Sequence, residues 1–209
     1  QEVDEHLGGT SFMSLLIEPR NPRGMKDLEL LKSLEKVERE LRSYRDPESG
    51  EVVLGHSVSL LVLLKETNRS LHQSDQSYYR LPDTQDELND LFFVLESLPP
   101  RQLSRLMSFD AQISHMTFAT QWLPAHRYGP LTDFVNSNLR SHIGDQAKVQ
   151  ATGIVYMFYS TVTSMILDLL KSFGFAFIVI STLMIIILGN LKLGLLAMVP
   201  NLGPIALLL

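Results

Sequence analysis

The chain has 209 residues, a net charge of −5 and no cysteine. The acidic excess argues against a nucleic-acid partner, and the lack of cysteine excludes disulfides and thiolate chemistry without fixing a compartment. All 23 acidic residues and all but one of the 18 basic residues precede Ser172, and only Lys192 follows it. The composition therefore predicts a soluble domain followed by a membrane segment.

The first predicted elements are a strand and an amphipathic helix. Residues 11–18 form a short apolar run, which Pro19, Pro22 and Gly24 end. Residues 26–44 then carry apolar side chains at helical spacing, with charges on the opposite face. The apolar positions are Leu30, Leu34, Val37 and Leu41.

The next stretch predicts a short strand and two further helices. Residues 51–54 are a strand candidate, and either Ser57 or Ser59 is a suitable cap for a helix that runs to Leu71. After a polar loop, residues 84–87 (TQDE) match the capping box that opens many helices. The apolar positions of that third helix are Leu88, Leu91, Phe92 and Leu95, and Pro99-Pro100 ends it.

The remaining soluble part predicts more strands and one more helix. Residues 103–122 are typical of extended structure around Asp110, either a hairpin or a bulged pair. Pro130 begins a helix, residues 148–153 form a strand, and the chain turns helical again from Ile154. Without the two inserted helices the order is βαββαβ, which predicts an α+β domain with the ferredoxin-like fold.

Residues 173–189 form an uncharged apolar run of 17 residues. A buried core helix is the alternative, but a helix that is apolar on every face rarely suits so small a domain. We therefore expect an extracytoplasmic domain over 1–165, a transmembrane helix over 166–190 and the start of a second one over 193–209. The sequence looks like a piece of a larger membrane protein. Lys192, between the two apolar runs, places that connection in the cytoplasm and the domain outside.

The sequence carries no recognisable catalytic, metal or cofactor motif, so we expect no enzyme activity and no cofactor. No two of the six histidines have the i, i+4 spacing of a helical metal site. Asp168 and Lys171 border the apolar run, where ionisable residues act either in function or as interfacial anchors. Pro200, Asn201 and Pro204 invite a break in the second apolar run. With Gly153, these five residues are the candidates for coupling or hinge positions.

Five short motifs follow one another along most of the chain. They are Leu7-Gly8-Gly9-Thr10, Ser59 with residues 64–68 (LKETN), residues 79–82 (YRLP), Thr152-Gly153, and residues 190–205 (NLKLGLLAMVPNLGPI). In this order and spacing they resemble a porter-domain repeat of the RND superfamily, in particular the MMPL-type exporters. The family usually has an Arg-Ser pair where this chain has Gly189-Asn190. The first motif is more similar to the C-terminal repeat.

The resemblance implies a proton-driven exporter of lipids or other hydrophobic molecules in the bacterial inner membrane. The implied partners are the substrate, the membrane and a second repeat of the same polypeptide, and homo-oligomerisation stays open. The family's proton-carrying acidic residues lie on a helix that this chain does not contain. The helix from Ile154 to Lys171 is the expected coupling element. Two alternatives are a sterol-sensing, Patched-like lipid sensor and a protein-translocation subunit of the same superfamily.

Overall fold

The computed structural model describes residues 11–97 and 103–190. Within these ranges the chain forms four strands and five α-helices, joined in places by short 3-10 turns. In chain order they are β1 (Ser11–Pro19), α1 (Leu28–Arg42), β2 (Leu54–Val58), α2 (Leu60–Leu71), α3 (Gln85–Glu96), β3 (Ser114–Thr120), α4 (Tyr128–His142), β4 (Ala147–Thr152) and α5 (Ile154–Leu188). The chain divides into two compact units, Gln1–Tyr159, here called the sheet unit, and Ser160–Leu209.

The four strands form one antiparallel sheet in the order β2-β3-β1-β4. β1 is central, so that Leu15 lies opposite Met116 of β3 on one side and opposite Ala151 of β4 on the other. Alternate side chains of a strand point to opposite faces, and Met13, Leu15 and Ile17 are all buried in the core. The predicted α+β class is confirmed.

α1 forms where the sequence predicts it because its cap and its apolar spacing agree. The side chain of Asp27 accepts a hydrogen bond from the N–H of Leu30 at 3.1 Å, which satisfies one of the free donors of the first turn. The four predicted apolar positions of this helix are fully buried. Burying each such side chain stabilises the fold by about 1.5–3 kcal/mol.

The inserted helices α2 and α3 are each opened by a side-chain cap. Ser59, and not Ser57, caps α2, and its hydroxyl accepts from the N–H of Val62 at 3.4 Å. Thr84 and Glu87 form the predicted capping box at the start of α3. The α3 helix is also fastened to α1, since Gln85 donates to the Lys26 carbonyl at 2.7 Å and accepts from the Leu28 N–H at 3.1 Å.

The second strand lies further along the chain than the sequence predicts. The prediction of a strand over residues 51–54 is wrong: β2 covers Leu54–Val58, and Val52 makes only an isolated bridge with Arg45. In β2 only Leu54 is buried, and the pairing with β3 shifts register between Leu54 and Ser57. Pairing with its neighbour, rather than its own apolar pattern, therefore defines this strand.

Extended structure over the whole of residues 103–122 is also a wrong prediction. Only β3 is a strand, and Met107 contributes a single isolated bridge to Ser114. The residues between them form a tight loop, in which the Ser108 hydroxyl accepts from the N–H of Ile113 at 2.9 Å and Ala111 has a positive φ of 55°. Side-chain hydrogen bonds of this kind compete with strand pairing.

Two other predicted boundaries differ slightly from those of the structure, and some predictions lie outside the described residues. α4 begins at Tyr128 rather than Pro130, which sits in the first turn, where its missing N–H costs nothing. β4 covers Ala147–Thr152, one residue earlier than predicted. The predictions that fall outside the described residues are the Leu7–Thr10 motif, Pro99-Pro100, Lys192, the second apolar run over 193–209, and Pro200, Asn201 and Pro204.

Candidate functional site: the apolar helix and its junction with the sheet

α5 is long and apolar enough to cross a membrane. It has 35 residues, which at 1.5 Å per residue gives a helix of about 52 Å. From Ser172 to Leu188 it carries no charge. Among the residues that the structure describes, no other helix meets the length and composition of a membrane span.

The apolar surface of α5 is not used to build a core. From Ser160 to Leu188 every side chain is exposed or half-buried. Phe175 is 71% exposed and Ile186 is 72% exposed. A core helix of a soluble protein would bury one face at least, so the alternative of a buried core helix does not fit the described residues.

Asp168 and Lys171 lie one helical turn apart, just before the uncharged run. The Lys171 ammonium is 3.4 Å from the Asp168 carboxylate, and both side chains are about three-quarters exposed, at 76% and 75%. An exposed pair of this kind adds at most about 1 kcal/mol in water. The uncharged stretch that follows is about 25 Å long at 1.5 Å per residue. The pair would therefore sit near one boundary of a hydrocarbon layer of about 30 Å.

Gly153 is the single residue between β4 and α5, and it contacts the central strand. Its φ of 98° falls in a region that favours glycine. A Cβ atom placed there would lie 2.9 Å from the Phe12 carbonyl oxygen and 3.1 Å from the Ser14 nitrogen. Its own carbonyl accepts the first helical hydrogen bond of α5, from the N–H of Met157 at 3.0 Å. A side chain at this position would therefore require the junction or β1 to shift.

The first turns of α5 pack against the sheet unit. Val155 is 2% exposed, and it is the one α5 residue that is buried among those the structure describes. Phe158 packs against Trp122 with ring centroids 5.2 Å apart. Tyr159 packs against Tyr128 at 5.9 Å. Tyr159 is the last residue of the sheet unit.

Tyr128, which packs against Tyr159, is itself held in place by the sheet unit. It is 3% exposed, and its hydroxyl accepts a hydrogen bond from the N–H of Leu123 at 3.0 Å. Burial raises the pKa of the Tyr128 hydroxyl, although the Leu123 hydrogen bond acts in the opposite direction. The hydroxyl therefore stays neutral in the physiological range and acts as a fixed hydrogen-bond acceptor.

An ion pair joins the turn after α1 to the start of α4. The Arg127 guanidinium lies 2.9 Å from a carboxylate oxygen of Asp46 and 2.6 Å from one of Glu48. Burial raises the pKa of Asp46, but hydrogen bonds from the N–H and hydroxyl of Ser49, together with Arg127, outweigh it and hold that pKa below its ordinary value. The Asp46 carboxylate is thus ionised and structural.

In the described residues, no cluster of three or more His, Asp or Glu side chains has the geometry for a metal ion. Two histidines lie close to carboxylates: His142 is 2.9 Å from Glu40, and His126 is 3.3 Å from Glu48. Glu48 also pairs with Arg127. A cavity of about 480 Å³ between α3 and the loop before β3 has mostly apolar walls.

Of the six predicted coupling or hinge residues, the structure describes three. Gly153 lies at the junction, while Asp168 and Lys171 lie about four and five turns further along α5. The contact between Trp122 and Phe158 is not predictable from the sequence, because residues 36 positions apart show no pairing signal. The one available hint was that Trp122 is the sole tryptophan of the chain.

A scan of the chain against protein-family models found no match, and a search of curated proteins found no relative.

Proposed function

We propose that this chain is the extracytoplasmic porter domain and the following membrane helix of a proton-driven, RND-type exporter of lipids or other hydrophobic molecules. The exporter resides in a bacterial inner membrane and contains a second repeat of the same kind. The chain requires no cofactor and catalyses no covalent chemistry.

The observation that carries the proposal is the direct fusion of the sheet to the apolar helix. β4 ends at Thr152, α5 begins at Ile154, and Gly153 is the only residue between them. A domain that is merely tethered to a membrane can use a flexible linker of many residues. A one-residue junction instead makes the domain follow the movement of the first turns of α5, which suits an exporter with alternating access.

The order of the strands supports the porter-domain fold. The sheet has the order β2-β3-β1-β4, with α1 connecting β1 to β2 and α4 connecting β3 to β4. We take this arrangement as the ferredoxin-like plan, with α2 and α3 inserted between β2 and β3. The predicted domain limits, 1–165, would then include the first turns of α5.

The proposal is tested with the complete polypeptide in proteoliposomes. A pH gradient is imposed, and the movement of a fluorescent lipid between leaflets is followed with and without a protonophore. We expect movement that depends on the gradient and stops when the protonophore collapses it.

Other outcomes would replace the proposal by a specific alternative. Saturable lipid binding without movement would favour a lipid sensor. Crosslinking of the domain to an unfolded polypeptide in transit would favour a protein-translocation subunit. Neither movement nor binding of any lipid would contradict the proposed substrate class.

A further inference from the structure

We propose that the sheet unit holds the start of α5 rigidly, and that bending of the helix begins only after Tyr159. We call residues 154–159 the anchored turn and residues 160–164 (STVTS) the hydroxyl turn. Gly153 is one of the six residues that the sequence suggests as coupling or hinge positions. We place the bend two turns further along the helix, whichever molecule the protein transports or senses.

Gly153 is a point of close contact and not a flexible joint. A glycine between two elements usually suggests freedom of rotation. Here the absence of a side chain allows its backbone to approach β1, where a Cβ would be 2.9 Å from the Phe12 carbonyl oxygen. Rotation about the Gly153 backbone would bring its atoms into contact with the backbone of β1. A packed interior leaves no room for such movement.

The anchored turn is fixed on more than one side. Val155 enters the core at 2% exposure, and Phe158 and Tyr159 pack on Trp122 and Tyr128. An aromatic pair of this kind contributes about 0.5–1.5 kcal/mol beyond the area that it buries. Two such pairs and one buried aliphatic side chain resist separation of the turn from the sheet unit.

The hydroxyl turn lacks most of these supports, although Val162 and Thr163 are half-buried. Among the residues that the structure describes, its five side chains share in no side-chain hydrogen bond, ion pair or aromatic contact. Serine and the β-branched residues are also weaker helix formers than leucine or alanine. The hydroxyl turn is therefore the first part of α5 that these contacts do not hold.

Distances between spin labels test the inference directly. The chain has no native cysteine, so labels at introduced cysteines define unique pairs within it. Glu29→Cys on α1 is the reference site, with 83% of its side chain exposed. It is paired with Met157→Cys in the anchored turn, 63% exposed, or with Met165→Cys just beyond the hydroxyl turn, 66% exposed. The complete polypeptide is measured in lipid nanodiscs by pulsed electron paramagnetic resonance.

We expect a narrow distance distribution for the Met157→Cys pair and one at least twice as wide for the Met165→Cys pair. A Met157→Cys distribution as wide as that of Met165→Cys would place the hinge at Gly153 and overturn the inference. Two equally narrow distributions would mean that α5 is one rigid rod, which would also overturn it.

A second variant tests whether the contact between Trp122 and Phe158 holds the anchored turn against the sheet unit. Trp122→Ala removes the ring that Phe158 packs against, and we expect it to widen the Met157→Cys distribution at least twofold. Phe93→Ala is the control, since Phe93 is a 76% exposed aromatic residue of α3, and it should leave the distribution unchanged. An unchanged width in Trp122→Ala would contradict the role given to this contact. Circular dichroism checks that both variants are folded.

Discussion

At Gly153 the question is whether one methyl group can fit between two pieces of backbone. Gly153→Ala has two costs: a positive φ for a residue with a Cβ, about 1–2 kcal/mol, and overlap with β1, about 1–3 kcal/mol more. Gly50→Ala has only the first cost, because Gly50 has a φ of 70° and no atom within 4 Å of the added Cβ. We expect Gly153→Ala to lower the free energy of unfolding by clearly more than Gly50→Ala.

The measurement is thermal or urea unfolding followed through the fluorescence of Trp122, which lies against the same junction. Equal losses in the two variants would show that β1 moves aside without cost. The close approach of Gly153 to β1 would then make no difference to the free energy of unfolding.

Because of Asp46, the free energy of unfolding of the sheet unit should depend on pH in the acidic range. Its pKa in the folded chain lies below its ordinary value, so the unfolded chain binds the proton more readily. The contribution of Asp46 is therefore fully present above the unfolded pKa, about 3.9, and is lost as the pH falls through the lower, folded pKa. Asp46→Asn should be less stable than the parent chain at pH 7, and this difference should shrink as the pH falls below about 4.

Urea midpoints at pH 7, 4 and 3 measure this difference. Asp90→Asn is the control, because Asp90 is an exposed residue of α3 and its loss should change the midpoint little at any of these pH values. A stability gap for Asp46→Asn that stays constant from pH 7 to pH 3 would contradict the assignment.

At the scale of elements, an ion cluster holds α1, α2 and β2 together. The Lys65 ammonium of α2 lies 2.7 Å from Glu35 and 3.9 Å from Glu38 of α1. The Ser57 hydroxyl of β2 also donates to Glu38, whose side chain is only 7% exposed. Lys65→Met would leave a carboxylate buried without its cation, and we expect a loss of about 2 kcal/mol.

Lys36→Met on the exposed face of α1 is the matched control, with an expected change below about 0.5 kcal/mol. Adding Glu38→Gln to Lys65→Met should recover part of the loss, because the unpaired charge disappears. No recovery in the double variant would mean that packing of the lysine stem, and not charge, is what Lys65 contributes.

A proline within the hydroxyl turn should disturb the coupling between the sheet unit and the rest of α5. Thr163→Pro removes one backbone hydrogen bond and fixes a kink, at a cost of about 3 kcal/mol in a helix interior. A hydrogen-bonded turn can bend and recover, whereas a proline kink is permanent. We expect Thr163→Pro to abolish export while the protein still inserts, and Thr163→Ala to export normally. Lipid movement and membrane fractionation measure the two properties, and normal export by Thr163→Pro would contradict the coupling role of α5.

Elements with local signals could be predicted from the sequence, and elements defined by their neighbours could not. α1 and α3 carry their caps and apolar stripes within the helix or directly before it, so sequence and structure agree. β2 has one buried residue and takes its position from β3, which lies about 60 residues later in the chain. At the junction, the glycine is visible in the sequence, but the Trp122–Phe158 contact that holds the helix is not.

At the scale of the whole molecule, the two units differ in how they use apolar residues. The sheet unit buries most of its leucines in one core, whereas α5 exposes nearly all of its apolar side chains. In water such a surface would favour association, so it needs a lipid or protein environment. The same contrast explains why composition alone predicts where the apolar segment begins, whereas the register of the sheet leaves no such mark in the composition.

The orientation of the chain in the membrane is the remaining expectation, and it rests on Lys192. If that connection is cytoplasmic, the sheet unit lies outside. Glu29→Cys in the sheet unit should then react with a membrane-impermeant maleimide in intact cells whose outer membrane is opened. Asn190→Cys, just after α5, should react only after the inner membrane is permeabilised. The opposite pattern would reverse the orientation, and reaction of both cysteines from the same side would mean that α5 does not cross the bilayer.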